Sequence, residues 1–321
     1  MTTFVSAAAP AVPTRRAFQP LRLPSLRAPR DPRWYQIAVL AGLLGWGLFR
    51  LQFDLRAPQV IVTLGAALIA QLVCTRLARL AAFDPKSALI SGLSLCLLLR
   101  TDHLALAALA AIVAIASKFV LRVDGKHIFN PTNFGITALL AAGAPVWVSP
   151  GQWGSVAFFA FLMACLGGLV VNRAARGDVT LAFLFAYAAI LFGRALWLGQ
   201  RAAIPLHQLE GGALLLFAFF MISDPRTTPR SRAGRILFAA LVACGAASVQ
   251  FLMYRTNGLL WSLVALSPLV PLIDRLLPGP RYEWSNPVAH PPNPPKGDLD
   301  ETLFALRRAL PGHGALARPR A

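Results

Sequence analysis

The chain has 321 residues, of which 56% are hydrophobic and only 14% charged, and its mean hydropathy is +0.59. Soluble domains carry roughly 25% charged residues, so this composition excludes an ordinary water-soluble globule and predicts an all-α, polytopic protein of the lipid bilayer. The formal net charge of +18 would also suit nucleic acid, but the charges cluster in loops between apolar segments, and we expect no nucleic-acid partner.

Ten apolar segments follow one another along the chain, and we predict that each is a transmembrane helix. Two of them, Ser87–Leu99 and Leu209–Ser223, are shorter than the roughly 20 residues that a span needs. In chain order, the ten predicted spans are Tyr35–Phe53, Ala57–Cys74, Ser87–Leu99, His103–Val120, Ile128–Val148, Trp153–Val171, Val179–Leu198, Leu209–Ser223, Gly234–Met253 and Gly258–Ile273.

Three regions result from this assignment: a disordered arm over 1–33, a transmembrane domain over 34–276 and a proline-rich tail over 277–321. Leucines at helical spacing predict a short amphipathic helix in the tail, at Leu299, Leu303, Leu306 and Leu310. Lys and Arg are more frequent in the loops that lie on the side of the N-terminus. By the positive-inside rule, this bias predicts that both termini lie in the cytoplasm.

A weak internal repeat accounts for the two short spans. A short apolar segment that ends in a polar group with an aspartate occurs twice, over Gly92–Asp102 and over Gly212–Pro225. Each copy continues with a full apolar helix and then an Asn-containing turn, at Phe129–Gly135 and at Arg255–Gly258. An odd number of spans separates the copies, so we predict two inverted repeats with a central site between them.

The densest polar segment of the membrane domain is Lys118–Gly135. Cations gather there where one helix ends, and Asn130-Pro131 then begins the next helix, since proline is well suited to a first helical turn. The free backbone amides of that turn, with Asn130 and the cations, would suit an anion or a phosphate. An ordinary cytoplasmic loop with inside-positive charges is the alternative.

The second polar segment, Phe220–Arg235, breaks a helix at Asp224-Pro225 and continues with four arginines. Asp224 is predicted either to pair with Arg226 or with an arginine of the first segment, or only to form an Asx-type turn. The two segments together predict a binding site rather than a catalytic one. Its predicted residues are Lys126, Asn130, Asn133, Asp224, Arg226 and Thr227.

Neither a catalytic motif nor a metal centre is predicted. The histidines fall at different depths, and each cysteine stands alone in an apolar span, without the paired spacing that zinc sites and disulfide frameworks show. Only three glutamates occur, at Glu210, Glu283 and Glu301, so a relay of intramembrane carboxylates is not expected.

The two polar segments resemble the paired signatures of the RnfD/NqrB membrane subunits. The first signature is Gly125–Pro131 followed by Asn133–Gly135, and the second is Phe220–Pro229 followed by Gly234-Arg235. The resemblance covers roughly residues 35–275 and is greater for the short stand-alone relatives found beside enediyne biosynthesis genes. It implies a ten-helix inverted repeat related to the urea-transporter fold and embedded in the bacterial plasma membrane. It also implies electron transport through flavin, coupled to ion movement, within a redox complex.

One departure from the family concerns the cofactor. Members that carry covalent FMN attach it to the threonine of a Ser-Gly-Ala-Thr motif, which is absent here. The nearest stretch contains Thr180. The ordinary interpretation of this stretch is that Asp178 or Thr180 is the N-cap of a helix. The expectation is therefore a non-covalent flavin, FMN or riboflavin, near Asn130. A non-redox channel for a small solute and a membrane scaffold for a soluble enzyme are the alternatives.

Overall fold

The computed structural model describes residues 31–51, 53–80, 82–149 and 166–282. Helices make up most of this part of the chain, in agreement with the predicted all-α membrane class. They are α1 Pro32–Phe49, α2 Ala57–Leu77, α3 Pro85–Leu98, α4 Leu104–Val120, α5 Pro131–Ala141, α6 over 166–173, α7 Gly177–Trp197, α8 Ala203–Leu209, α9 Gly212–Leu216, α10 Arg232–Phe251, α11 Gly258–Leu266 and α12 Val270–Leu276. A π-helical turn, Phe217–Met221, continues α9, and a 3-10 turn, Ser267–Leu269, joins α11 to α12.

Four stretches of the described chain are long and apolar enough to cross a membrane: α2, α7, α10, and α11 with α12 taken together. A fifth is the pair formed by Ala203–Leu209 and Gly212–Met221, which is bent by 49° at its break. The predicted short span at Leu209–Ser223 is thus only the second arm of a bent element. The first short span is confirmed as a helix of 14 residues, α3.

One predicted span is wrong in extent. The segment Ile128–Val148 contains only the 11-residue helix α5, because the chain turns at Gly143, whose φ of +68° favours glycine. The chain then forms a two-residue strand, β4 (Trp147–Val148), which pairs antiparallel with β1 (Leu99–Arg100) directly after α3. Most of the predicted span at Trp153–Val171, and the predicted tail helix, lie outside the described residues.

Side-chain exposure along α7 follows the pattern of a membrane helix. Phe183 and Tyr187 are 0% and 5% exposed and pack into the bundle, whereas Leu181 and Phe185 are 68% and 78% exposed. Large apolar side chains on the outer face are compatible with lipid but would be a liability in water. The helix therefore separates a protein-facing side from a lipid-facing side.

Two glycines, one in α5 and one at the start of α11, allow close helix crossings. A Cβ atom on Gly135 would lie 2.7 Å from the Ala110 carbonyl oxygen, so α5 packs directly on the backbone of α4. In the same way, a Cβ on Gly258 would lie 2.6 Å from the Ala246 carbonyl oxygen, where α11 crosses α10. Small residues permit such approaches in membrane bundles.

The first turns of α5 and α11 contact each other. Asn133 is completely buried, and its Nδ2 donates to the Leu260 carbonyl oxygen at 3.2 Å. The two Asn-containing turns therefore begin helices that meet inside the protein.

Candidate functional site

The two polar segments meet at a cavity of about 200 Å³. Helices α1 to α4 form its walls, and the start of α5 and the segment after the π-helical turn close it. Three of the predicted site residues line it, namely Asn130, Asp224 and Arg226. The sequence therefore identified the two polar segments that close the cavity, but not the residues of α1 to α3 that line it.

Asn130 joins the two polar segments. Its Oδ1 accepts a hydrogen bond from the Asn133 backbone N–H at 3.1 Å, which makes it the N-cap of α5. Its Nδ2 lies 3.4 Å from both the Met221 carbonyl oxygen and Asp224 Oδ2. The prediction that the amides of this turn are free is thus wrong for Asn133, because the asparagine side chain already caps that amide.

Asp224 forms the Asx-type turn that was one of the two predicted alternatives. Its Oδ1 accepts from the Arg226 backbone N–H at 2.9 Å, and its own carbonyl oxygen accepts from the backbone N–H groups of Thr227 and Thr228. The carboxylate is therefore held by a backbone amide and the Asn130 amide. Its remaining acceptor capacity is directed toward the cavity that it lines.

Lys118 lines the cavity but is not among the residues predicted from the sequence. It lies in the last turn of α4, is 7% exposed, and its Nζ donates to Gln71 Oε1 at 2.8 Å and to Ser87 Oγ at 3.1 Å. Within the described part of the chain, no carboxylate oxygen lies within 4.0 Å of it. An ammonium group has three donors, so one remains for a ligand. The signal was its position inside an apolar span, where a cation is a functional candidate.

Ion pairs close the cavity on the side of α1. Arg33 contacts Asp84, the N-cap residue of α3, and donates to Asp31, which in turn accepts from Lys86 at 2.8 Å. Burial alone would raise the pKa of Asp31, but the hydrogen bonds from Arg33 and Lys86 lower it to about 2. This network fixes the starts of α1 and α3 against each other.

His127 also lines the cavity. It lies in the short strand β3 (Lys126–His127), which pairs antiparallel with β2 (Arg122–Val123). Burial lowers the pKa of His127 to about 4, and the positive charge of Lys118 acts in the same direction while Asp224 opposes it. The imidazole is therefore neutral near pH 7 and offers one donor and one acceptor.

Three predicted site residues do not line the cavity. Lys126 contacts the Thr228 carbonyl oxygen and lies 3.2 Å from Asp274 Oδ2, so it connects β3 to α12. Asn133 is used in the contact with α11, and Thr227 Oγ1 donates to the Asp224 carbonyl oxygen at 3.4 Å. These three residues hold the segments that form the site.

The predicted N-cap role of Asp178 or Thr180 is wrong. The N-cap of α7 is Arg176, and Asp178, in the first turn, pairs instead with Arg235 of α10, whose Nε lies 2.8 Å from its Oδ2. Thr180 is 1% exposed, and its hydroxyl donates to the Ala218 carbonyl oxygen at 3.0 Å. Its oxygen is thus enclosed between α7 and the π-helical turn.

Comparison with known proteins gives matches over part of the chain. Residues 144–282 match the NQR2, RnfD, RnfE family. The chain is 38% identical over 73 residues to the RnfD subunit of the ion-translocating oxidoreductase complex of Stutzerimonas stutzeri, which is 22% of this chain and 20% of that protein. It is 29% identical over 125 residues to the RnfD subunit of Vibrio vulnificus, and 30% identical over 125 residues to that of Escherichia coli K12; each covers 38% of this chain and 34% of the relative.

The family resemblance predicted from the two motifs is thereby confirmed. The matched family region contains the second motif, at Phe220–Arg235, and begins after the first. The matched segments span at most about a third of the length of these relatives.

Proposed function

We propose that this chain is a membrane subunit that couples electron transfer to ion movement across the bacterial plasma membrane. The observation that carries the proposal is that Asp224 and Arg226, within the matched family region, meet Asn130 at one cavity that α1 to α4 also line. Other subunits of a redox complex would be its partners, since the relatives it resembles are named as subunits of an ion-translocating oxidoreductase complex.

The proposed architecture is a ten-span inverted repeat with both termini in the cytoplasm. Its support lies in the paired crossings at Gly135 and Gly258 and in the contact between the first turns of α5 and α11. Helices broken near the bilayer midplane, with their ends sheltered by protein, are the arrangement that builds a central site in transporter-like folds.

The proposed ligand of the cavity is a non-covalent flavin, FMN or riboflavin. The ring carbonyls and ring nitrogens of a flavin require both hydrogen-bond donors and acceptors. The cavity offers donors from Lys118 and the Arg226 guanidinium, and an acceptor from the Asp224 carboxylate. The cavity of about 200 Å³ is smaller than the roughly 300 Å³ at which pockets for drug-sized ligands begin, so we propose that it receives part of the flavin. A bound flavin would supply redox chemistry, while these side chains bind and orient it.

Covalent attachment at Thr180 is not part of the proposal. The Thr180 hydroxyl donates a hydrogen bond to the Ala218 carbonyl oxygen, and the residue is almost completely buried. A phosphoester there would therefore require α7 and the π-helical turn to separate.

The test is purification of the full chain in detergent, followed by measurement of flavin absorption, fluorescence and the amount released by acid. We expect near-stoichiometric flavin in the wild type and at least a tenfold loss in Asn130→Ala and Asp224→Ala, with unchanged extraction from the membrane. Asp102→Ala is the matched control, because Asp102 is the corresponding, exposed residue of the first repeat copy. A colourless wild-type protein that conducts a small solute in liposomes would contradict the redox proposal, and flavin retained in both variants would contradict the site.

A further inference from the structure

A second, smaller cavity has a volume of about 20 Å³ and is surrounded by five basic side chains. We call these side chains the arginine cluster; they are Lys126, Arg176, Arg226, Arg230 and Arg281. None of the described residues that line it is acidic. Asp274 lies 3.2 Å from Lys126 and 3.6 Å from Arg230 and is shared by them. Asp178 and Asp224 also act electrostatically on Arg176. The positive charge of the cluster is therefore only partly compensated.

Arg176 is the buried member of the cluster. It is only 5% exposed, and its Nη1 donates to the Ala175 carbonyl oxygen at 3.0 Å. Its Nε is buried and has no hydrogen-bond partner in the described structure, and the Tyr282 ring lies 4.6 Å from its Cζ. Burial and the neighbouring Arg235 lower the pKa of Arg176 to about 10, which still leaves the group charged near pH 7.

The cluster lies at the ends of three candidate membrane spans. Arg176 immediately precedes α7, Arg230 lies two residues before α10, and Asp274 lies in the last turn of α12. Since membrane-crossing helices end near the boundary between hydrocarbon and water, this is the level at which the phosphates of lipid head groups lie.

We propose that the arginine cluster is a binding site for a phosphate oxyanion, in which the unpartnered Nε of Arg176 and the guanidinium groups of Arg226 and Arg281 hold the phosphate oxygens. The unesterified oxygens of a phosphate dianion accept hydrogen bonds and donate none, and planar guanidinium groups match their geometry. A cavity of about 20 Å³ is little larger than the 10–15 Å³ that a water needs. It therefore receives one or two oxygen atoms, and the remainder of the ligand lies outside.

The oxyanion has two sources, the head group of an anionic lipid or a soluble phosphate compound, and one experiment distinguishes them. The thermal unfolding midpoint of the full chain is measured in neutral detergent, with inorganic phosphate titrated at constant ionic strength. Parallel samples contain phosphatidic acid, phosphatidylglycerol or phosphatidylcholine in the same micelles. We expect a saturable rise of the midpoint with the anionic probes only, and an apparent Kd at least tenfold weaker in Arg176→Gln.

Arg201→Gln is the control, because Arg201 is an exposed arginine beyond the opposite end of α7, and it should respond as the wild type does. A response to the lipids alone assigns a head group, and a response that includes inorganic phosphate assigns a free oxyanion; both support the site. If Arg176→Gln does not fold, Arg281→Gln, at an exposed position, takes its place. An equal response of the variant and the wild type overturns the proposal.

The carboxylate that follows Tyr282 in the sequence, Glu283, provides the last comparison. Binding by Glu283→Gln together with no binding by the wild type would mean that the chain supplies its own counter-charge to Arg176, and this too overturns the proposal. Arg226 lines both cavities, but the mutated residues Arg176 and Arg281 do not line the larger one, so the two proposals fail separately.

Discussion

Asn130 connects parts of the chain that lie far from it in sequence, because its side chain reaches Met221 and Asp224, 91 and 94 residues away. The sequence predicted this residue because Asn-Pro at the start of a helix is a local pattern. Lys118 was not predicted as a site residue, since its partners Gln71 and Ser87 come from other helices. A local sequence pattern does not show which side chains from other helices will contact a buried lysine.

His127 leads to a prediction about pH. Its pKa is about 4 in the folded protein, below its ordinary value of 6.5, so the unfolded chain takes up the proton first as the pH falls. The stability that depends on a neutral imidazole is therefore complete above about pH 6.5 and is lost progressively toward pH 4.

We expect the thermal unfolding midpoint of the wild type in detergent to fall more steeply between pH 6.5 and 4 than that of His127→Gln. His103→Gln serves as the control, because His103 lies just before the start of α4, away from this cavity, and should keep the wild-type slope. Identical slopes for all three proteins would show that the His127 imidazole is not held neutral by its surroundings.

At the scale of elements, hydropathy predicted most helix positions but misjudged where some helices end. The first of the two Asn-containing turns begins a helix of only 11 residues, α5, although the apolar stretch continues to Val148. The turn at Gly143 and the pairing of β4 with β1 end it. Pairing with a strand 48 residues earlier in the chain is a tertiary contact that a window of hydropathy does not register.

Because α4 and α5 cross so closely, one methyl group added at Gly135 should lower the stability of the fold. Gly135→Ala would place a Cβ 2.7 Å from the Ala110 carbonyl oxygen, and a backbone atom does not move aside cheaply. We expect a loss of about 1–3 kcal/mol, the usual cost of overpacking, seen as a lower unfolding midpoint and a smaller monodisperse fraction in size-exclusion chromatography.

Gly65→Ala in α2 is the matched control, since nothing lies within 4 Å of a Cβ built there. It should be neutral or slightly stabilising, because alanine favours a helix more than glycine does. Gly258→Ala should resemble Gly135→Ala, and tolerance of alanine at both crossings would contradict the close packing described here.

At the scale of the whole molecule, the sequence predicted a multi-pass helical membrane protein, and the described structure agrees. Two candidate spans, α7 and α10, run side by side. The predicted repeat brings its two broken-backbone elements together, and in the structure the first turns of α5 and α11 contact each other through Asn133 and Leu260. The number of ten spans and their inversion stay predictions.

Labelling of single cysteines tests the orientation of the two repeat copies. The Asp124 carbonyl oxygen accepts from Arg281, which lines one cavity with Arg230, two residues before α10. Asp124 therefore lies at the same end of the bundle as the start of α10, whereas Tyr254 follows the far end of this 20-residue helix. Twenty residues of α-helix span about 30 Å, which is the thickness of the hydrocarbon core. The two residues therefore lie on opposite sides of a bilayer that α10 crosses.

With the native cysteines replaced, we expect an impermeant maleimide to modify Tyr254→Cys in intact cells. Asp124→Cys should react only after permeabilisation. Both positions are exposed, so a lack of reaction reports the membrane and not burial. Modification of both from the outside would contradict the proposed topology and would remove the inverted repeat with it.

The π-helical turn Phe217–Met221 sets the direction in which Asp224 points. A π turn contains one residue more than an α turn, and successive residues of an α-helix are about 100° apart around its axis. Deleting a single residue there would restore a regular helix and would rotate the chain that follows by that angle, so that the Met221 carbonyl and the aspartate would leave Asn130. Chains that share this cavity should therefore differ in side chains along the turn far more readily than in its length.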